Sequence, residues 1–148
     1  MDKTKLEFFK IGEAALLDSA KDFWAPNLLI QNNLSWAIQI PDSIAPGNYV
    51  LRHEMIALHA ANNVGGAQNY PFCFNLAVSS SGSDAPKGQR IQGMYKSTDP
   101  GIYFNLFERK GGSYPIPGVS VSFSQNGPRP DTDRWPLSRR CIPAPRNR

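Results

Sequence analysis

Histidine and cysteine are scarce in this chain, and their scarcity excludes several kinds of site. The 148 residues include two histidines, His53 and His59, and two cysteines, Cys73 and Cys141. Two cysteines are too few for a disulfide framework, and no cysteine–histidine pair has zinc-site spacing. On an extended strand the two histidines would lie about 20 Å apart. They are therefore not expected to share one metal ion.

Motifs of catalysis and targeting are also missing. The sequence contains no Ser/His/Asp arrangement and no glycine-rich phosphate loop. Its apolar runs are too short to span a membrane. The N-terminal segment MDKTKLEFF lacks the apolar region and cleavage site of a signal peptide. We therefore expect no membrane partner and no signal peptide in this chain.

The net charge of +4 comes entirely from the C-terminal end of the chain. Residues 1–124 carry ten Lys/Arg and ten Asp/Glu, whereas residues 125–148 carry six Arg and two Asp. A Pro/Arg-rich segment without apolar periodicity is typical of a disordered tail, not of a folded basic face. The sequence thus predicts a disordered tail over residues 125–148 and no nucleic-acid partner.

The 13 prolines and 12 glycines separate short apolar runs, a pattern that favours an all-β fold. One stretch, residues 13–21, has helical character, and Pro26 is expected to prevent its continuation. The longest predicted strand has apolar residues of both parities, which suits a strand covered in part on both sides, as in a β-sandwich. The predicted strands are residues 6–11, 34–40, 48–59, 73–78 and 102–107.

A candidate polar site lies in residues 44–73, IAPGNYVLRHEMIALHAANNVGGAQNYPFC. This segment brings His59, Gln68 and Tyr70 within twelve residues of one another. Gln68 and Tyr70 are two positions apart, so an extended backbone points them to the same side, and Pro71 favours that conformation for Tyr70. An imidazole, a carboxamide and a phenol can line one polar site. A core tyrosine with a satisfied hydroxyl explains the residues equally well.

Other candidates have structural explanations of similar or greater weight. His53 lies in mid-strand, where a buried, hydrogen-bonded imidazole is expected. Glu54 and Asp99 could form a hydrolytic carboxylate pair, but nothing in the sequence brings them together. Tyr114 could stack on a sugar or cover the core. Asn33 begins a glycosylation sequon, Asn-Leu-Ser.

The segment IPDSIAPGNYVLRHEMIALHAANNVGGAQNYPFCFNL closely resembles the core signature of the fungal cellulose-active lytic polysaccharide monooxygenases, auxiliary activity family nine, once classed as endoglucanases. Weaker similarity in FFKIGEAALL, STDPGIYFNLF and GSYPIPG extends the resemblance over residues 6–123. The resemblance implies a secreted protein with an immunoglobulin-like (fibronectin-type) β-sandwich and long loops. It also implies one copper ion as cofactor, an external electron donor, and cellulose or a related β-1,4-glucan as substrate.

The same resemblance implies roles for individual residues. Tyr70 corresponds to a tyrosine in a remote axial position at the copper. His59 and Gln68 correspond to the pair that hydrogen-bonds the oxygen species at the metal, and such groups tune a metal's chemistry strongly. Tyr114 resembles a surface tyrosine presented to flat polysaccharide. Cys73 matches one half of a disulfide whose partner is missing here.

The copper of this family is held by a brace of two histidines, one of them N-terminal, and both belong to a half of the family sequence that nothing here matches. The resemblance therefore implies that residues 1–124 are the C-terminal portion of the domain, an incomplete sandwich that is inactive alone. We predict exposed strand edges, an uncovered apolar face and aggregation of the isolated chain. The alternative is a non-catalytic carbohydrate-binding β-sandwich that uses Tyr114.

Overall fold

The computed structural model describes residues 5–109 and 112–123. The predicted tail and Cys141 lie outside these residues. The described residues form three two-stranded antiparallel sheets, which pair β1 with β6, β2 with β3, and β4 with β5. In chain order the elements are β1 (Glu7–Phe8), β2 (Leu16–Asp18), β3 (Phe23–Trp24), α1 (Ala25–Gln31), β4 (Gly47–Ala57), β5 (Gln68–Val78) and β6 (Gln89–Arg90).

The dominant element is the long ribbon of β4 and β5. Each strand has 11 residues, and the register runs without a shift from Gly47 opposite Val78 to Ala57 opposite Gln68. The predicted strand over residues 48–59 is confirmed up to Ala57, and the last two predicted residues belong to the following loop. β5 begins before the predicted residue 73 because its pairing continues through Pro71, and a proline is tolerated in an edge strand.

One face of this ribbon, which we call the open face, is largely uncovered. Residues directly opposite in an antiparallel pair point to the same side, and alternate residues point to opposite sides. The exposed fractions are 38% for Met55, 47% for Tyr70, 55% for Phe72 and 55% for Phe74. The uncovered apolar face predicted from the sequence is thus present. The open face consists of Tyr49, Leu51, His53, Met55, Ala57, Gln68, Tyr70, Phe72, Phe74 and Leu76.

The opposite face, which we call the covered face, is covered by the chain over β4, whereas its β5 residues, such as Cys73 and Asn75, are exposed. Arg52 and Glu54 form an ion pair at 2.6 Å, and their side chains are only 13% and 8% exposed. The hydroxyl of Tyr95 donates a hydrogen bond to the other carboxylate oxygen of Glu54 at 2.7 Å. The carboxylate raises the pKa of the Arg52 guanidinium, so the pair stays charged.

The buried apolar residues lie away from the ribbon. Among the described residues they are Leu28 in α1, together with Ile44, Ala61 and Ile102 in loops. A core of this size buries little apolar surface compared with what a domain needs. The long strands place most of their large apolar side chains on the open face instead.

The predicted helix over residues 13–21 is wrong. Within that stretch residues 16–18 form β2, and the Asp18 carboxylate accepts hydrogen bonds from the backbone N–H of Ala20 and Lys21 at 3.0 and 3.2 Å. Such a side-chain bond offers the backbone a turn in place of a helix. The helix is α1, which starts at Ala25 and contains Pro26 in its first turn. Proline is tolerated there because its missing N–H has no intrahelical partner to lose.

Two predicted strands are absent and a third is shorter than predicted. Residues 34–40, all described, contain no strand, because Leu34 has a φ of 58° in the turn that follows α1. In residues 102–107 the N–H groups of Ile102 and Tyr103 both bond to the Asp99 carbonyl at 2.9 Å, which makes a turn. The strand predicted over residues 6–11 pairs only over β1. Several of the alternating apolar side chains at these sites are exposed, among them Leu34 at 74% and Phe107 at 76%.

Candidate functional site

The structure brings Gln68 and Tyr70 together at the start of β5. The Tyr70 hydroxyl donates a hydrogen bond to the side-chain oxygen of Gln68 at 2.8 Å, and both side chains are exposed. This contact confirms that the two residues point to the same side of an extended segment. The phenol and the carboxamide therefore hold each other in a defined orientation at the surface.

His59 lies at the same end of the ribbon. It is two residues beyond Ala57, whose partner in the ribbon is Gln68, and its side chain is exposed. It belongs to the connecting loop, residues 58–67, in which the N–H of Ala61 bonds to the Leu58 carbonyl at 3.0 Å. All three residues of the candidate polar site thus lie at one end of the ribbon.

The connecting loop has a fixed shape. Ala61 is fully buried, with 0% exposure. A side chain at Gly66 would collide with the carbonyl of Ala60, so glycine is required by a close approach of the backbone. The loop that carries His59 is therefore folded closely against itself just before β5 begins.

Tyr114 is half-buried and anchored at both ends of its side chain. Its hydroxyl donates to the carbonyl of Gly101 at 2.6 Å. Its ring makes edge-to-face contacts with Trp24 and Phe104, at centroid distances of 5.5 and 5.0 Å. Burial raises the pKa of Tyr114 to about 12. The sequence left open whether this ring covers the core or faces a sugar, and the structure shows a ring that is partly covered and firmly oriented.

Trp24 is held in turn by a charged pair. The guanidinium of Arg109 lies 5.5 Å from the centroid of the Trp24 ring and forms an ion pair with Asp22. The indole N–H donates to the same carboxylate at 2.9 Å. The hydrogen bond from Trp24, followed by that from Arg109, lowers the pKa of Asp22. Sequence reasoning missed this cluster because Arg109 and Asp22 are 87 residues apart and no motif joins them.

Phe104 connects the aromatic cluster to the connecting loop. Its ring contacts Tyr114, and its backbone N–H donates to the Ala61 carbonyl at 2.9 Å. Ala61 is two residues from His59. The candidate polysaccharide contact and the candidate polar site therefore belong to one region of the surface.

The remaining sequence candidates lie elsewhere. Glu54 is occupied by Arg52 and Tyr95 on the covered face, whereas Asp99 accepts a hydrogen bond from the Lys96 N–H at 2.8 Å within a turn. The structure does not pair these carboxylates. The expectation of a buried His53 is wrong, since the side chain is exposed on the open face. Cys73 is an exposed free thiol.

Within residues 5–109 and 112–123, no group of three or more His, Cys, Asp or Glu side chains could hold a metal ion. His59, Gln68 and Tyr70 thus do not fit a copper ion by themselves; they could only flank one held by other ligands. In the same ranges no helix combines the length and apolar character needed to cross a membrane.

Comparisons with a family model and with individual proteins point to the same family. The family model described as Auxiliary Activity family 9 (formerly GH61) matches residues 1–114. A lytic polysaccharide monooxygenase A of that family from Malbranchea cinnamomea is 55% identical over 130 residues, which cover 86% of this chain and 39% of the relative. The monooxygenase A of Thermoascus aurantiacus is 55% identical over 120 residues, covering 80% of this chain and 52% of the relative.

Solved structures agree with the sequence relatives. The extended catalytic domain of H. jecorina LPMO9A matches with a TM-score of 0.78 and 51% identity, over 83% of this chain and 50% of that domain. The chain thus spans about half the length of this structure and between 39% and 52% of the two relatives above. The match confirms the predicted fold class, an incomplete immunoglobulin-like β-sandwich.

Proposed function

The chain belongs to Auxiliary Activity family 9, and from this membership we propose that it is part of a copper-dependent polysaccharide monooxygenase that cleaves cellulose or a related β-1,4-glucan oxidatively. The observation that carries the proposal is the Tyr70–Gln68 hydrogen bond of 2.8 Å at the ribbon end that also bears His59. The full enzyme would be secreted and would take electrons from an external donor.

We assign the metal ligands of the brace to the part of the family fold that has no counterpart in this chain. Copper there would supply the redox chemistry. Tyr70 is proposed to stand beside the bound metal, where its bond to Gln68 would limit rotation of the phenol. Because no described cluster can hold the ion, we expect this chain alone to be inactive and to bind copper poorly.

His59 and Gln68 are proposed as catalytic residues that orient the oxygen co-substrate. Gln68 accepts from Tyr70 through its oxygen, so its amide N–H groups stay available as donors. The imidazole of His59 is exposed, and its ring nitrogens can donate or accept a hydrogen bond. Their common position supports a shared role in hydrogen bonding to one small molecule.

Tyr114 is proposed as the polysaccharide contact. Trp24 and Phe104 hold the ring through contacts with centroid distances of 5.5 and 5.0 Å. Because the ring is already oriented, stacking on a sugar would cost less side-chain entropy than stacking by a freely rotating ring. The bond from Phe104 to Ala61 places this ring in the region of the His59 loop. A stacked glucan chain would thereby pass close to the polar site. Cys73 is proposed to form a disulfide with a cysteine supplied by the rest of the fold.

A chimeric enzyme tests the proposal. Residues 6–123 of this chain replace the matching part of the Thermoascus aurantiacus relative, and oxidised oligosaccharides released from cellulose are measured with copper and a reductant. We expect activity in the chimera and a loss of about tenfold to a hundredfold in the Gln68→Ala variant. Asn63→Ala, a substitution at an exposed position of the connecting loop that precedes Gln68, is the control and should leave the rate unchanged.

The proposal fails if the chimera folds and binds copper but releases no oxidised products. It also fails for Gln68 if the alanine variant is as active as the Asn63→Ala control.

A further inference from the structure

A charged pair, Arg109 with Asp22, is linked through Trp24 to the proposed polysaccharide contact, Tyr114. The Arg109 side chain is only 8% exposed, whereas that of Asp22 is 68% exposed. The proposed chemistry gives neither residue a role. We propose that Arg109 and Asp22 are positioning residues, which hold Trp24 against Tyr114 and thereby set the affinity of the Tyr114 ring for the glucan chain. This inference rests on the proposed function of Tyr114 and adds the residues that control it.

The Asp22 carboxylate joins two parts of the cluster. One of its oxygens, Oδ1, accepts the indole N–H of Trp24 at 2.9 Å and also pairs with the Arg109 guanidinium. The guanidinium in turn lies over the Trp24 ring, 5.5 Å from its centroid, which is within the range of a cation–π contact. The indole is therefore restrained both at its N–H edge and over its ring.

The guanidinium is itself fixed by a further bond. Its other terminal nitrogen donates to the Gly112 carbonyl at 2.9 Å, so two of its nitrogens have partners in different segments. The nearby ion pair between Lys21 and Asp18 is different, because the Lys21 side chain is 81% exposed and the pair spans 3.3 Å. An exposed pair of that kind adds little stability. Arg109 is thus a fixed support, and Lys21 provides a comparison for it.

Trp24 passes the restraint to Tyr114. The two rings meet edge to face, with centroids 5.5 Å apart and an interplanar angle of 67°. The backbone of Trp24 is also held, because its N–H donates to the side-chain oxygen of Asn27 at 2.8 Å. Without the charged pair, the indole could turn about its side-chain torsions, and the Tyr114 ring would gain freedom on that side. Stacking on a sugar would then cost more side-chain entropy.

Arg109 acts through the rings and not on the sugar. Its side chain is almost entirely covered, and it is engaged by Asp22 and by the Gly112 carbonyl. Asp22 is exposed enough for its second carboxylate oxygen to meet a sugar hydroxyl directly. A direct contact and a positioning role differ in one respect: only the positioning role needs the Tyr114 ring.

A double-mutant cycle on cellulose binding uses this difference. In the chimeric enzyme, Arg109→Met should weaken binding about three- to tenfold. In a chimera that already carries Tyr114→Ala, the same substitution should change binding less than about twofold, because the two residues act as one unit. Asp22→Asn keeps an acceptor for the indole N–H and should lose less affinity than Asp22→Ala. The control, Lys21→Met, removes a cation from an exposed pair and should change binding less than about twofold.

The kinetics of the same variants separate positioning from a general loss of the fold. The cellulose concentration that gives half of the maximal rate should rise with Arg109→Met by the same factor as the binding constant. The maximal rate should change less than about twofold, since Arg109 does not touch the proposed catalytic residues. A general loss of folded enzyme would instead lower the maximal rate.

Hydrogen exchange of the Trp24 indole N–H measures the restraint without cellulose. In the full 148-residue chain, nuclear magnetic resonance follows this signal, which Trp24→Phe identifies by removing it. Asp22→Ala should speed the exchange about three- to tenfold, the equivalent of one lost hydrogen bond. Arg109→Met should act in the same direction, and Lys21→Met should have no effect.

Two results would overturn the inference. One is equal weakening of cellulose binding by Arg109→Met with and without the Tyr114 ring. The other is an unchanged exchange rate of the Trp24 indole N–H in both Asp22→Ala and Arg109→Met. Failure of the proposed function gives a different pattern, in which Tyr114→Ala alone binds cellulose normally, and that result would overturn the inference as well.

Discussion

The backbone N–H of Phe104 donates a hydrogen bond to the carbonyl of Ala61 at 2.9 Å, and this bond joins the aromatic cluster around Tyr114 to the loop that carries His59. Ala61 is fully buried, so the bond is shielded from water. It gives the proposed polysaccharide contact and the proposed catalytic residues a common support. Changes that displace this hydrogen bond should therefore alter both functions together.

Gly66→Ala tests the shape of the connecting loop. The added Cβ would collide with the Ala60 carbonyl, so the loop must move and His59 must shift relative to Gln68. We expect the free energy of unfolding to fall by about 1–3 kcal/mol, as for other overpacking substitutions. Urea denaturation of the chimeric enzyme, monitored by tryptophan fluorescence, measures this change. Gly112→Ala is the control, because a Cβ there meets nothing within 4 Å, and equal effects of the two variants would contradict the close approach.

Glu54→Gln tests the covered face of the ribbon. The substitution removes the carboxylate that pairs with the Arg52 guanidinium. That guanidinium is only 13% exposed, so a mostly buried positive charge would lose its counter-ion. We expect a loss of about 2–3 kcal/mol, toward the lower end for broken buried pairs. Replacing both residues, as Arg52→Met with Glu54→Leu, should recover most of this loss because no unpaired charge remains.

The urea midpoints of these two variants and of the unchanged chain provide the comparison. If the double variant is less stable than Glu54→Gln, the ion pair contributes more than its desolvation costs and the expectation is wrong.

Tyr95 and Tyr114 should ionise only at strongly alkaline pH. Burial, aided for Tyr95 by the hydrogen bond to Glu54, raises the pKa of each from 10.0 to about 12. The folded state favours the neutral phenol, so this contribution to stability is complete below about pH 10 and is lost as the pH rises toward about 12.

Ultraviolet absorbance of tyrosinate, recorded as the pH is raised, measures these ionisations. Tyr95→Phe and Tyr114→Phe should each remove one late-titrating group from the five tyrosines of the chain. If neither substitution changes the titration curve near pH 12, the two hydroxyls are not buried as described.

Binding of the chimeric enzyme to cellulose separates two roles of Tyr114. Tyr114→Phe removes the bond to the Gly101 carbonyl and keeps the ring, whereas Tyr114→Ala removes the ring. If the ring stacks on sugar, the alanine variant should bind cellulose about five- to tenfold less tightly and the phenylalanine variant nearly normally. Tyr103→Ala removes another exposed tyrosine and is the control.

The same measurement of cellulose binding tests the alternative function, a non-catalytic carbohydrate-binding β-sandwich. Strong binding through Tyr114 by a chimera that forms no oxidised products would favour that alternative over the monooxygenase.

Local sequence determined much of the ribbon and of the polar pair. The strand over residues 48–59 is confirmed as β4 because alternation of side chains along one strand is a property of consecutive residues. For the same reason the contact between Gln68 and Tyr70, two positions apart, was predictable. The resemblance of residues 40–76 to one family was equally visible, and the family match over residues 1–114 confirms it.

Tertiary structure decided the features that depend on distant partners. The helix is at Ala25–Gln31 and not at residues 13–21, since pairing of β2 with β3 overrode a helical composition. Trp24 is oriented by Arg109, and Glu54 is satisfied by Tyr95, 41 residues away. The exposure of His53 depends on what covers the open face. Burial and long-range contacts arise only when distant segments meet in three dimensions, so no pattern of neighbouring residues encodes them.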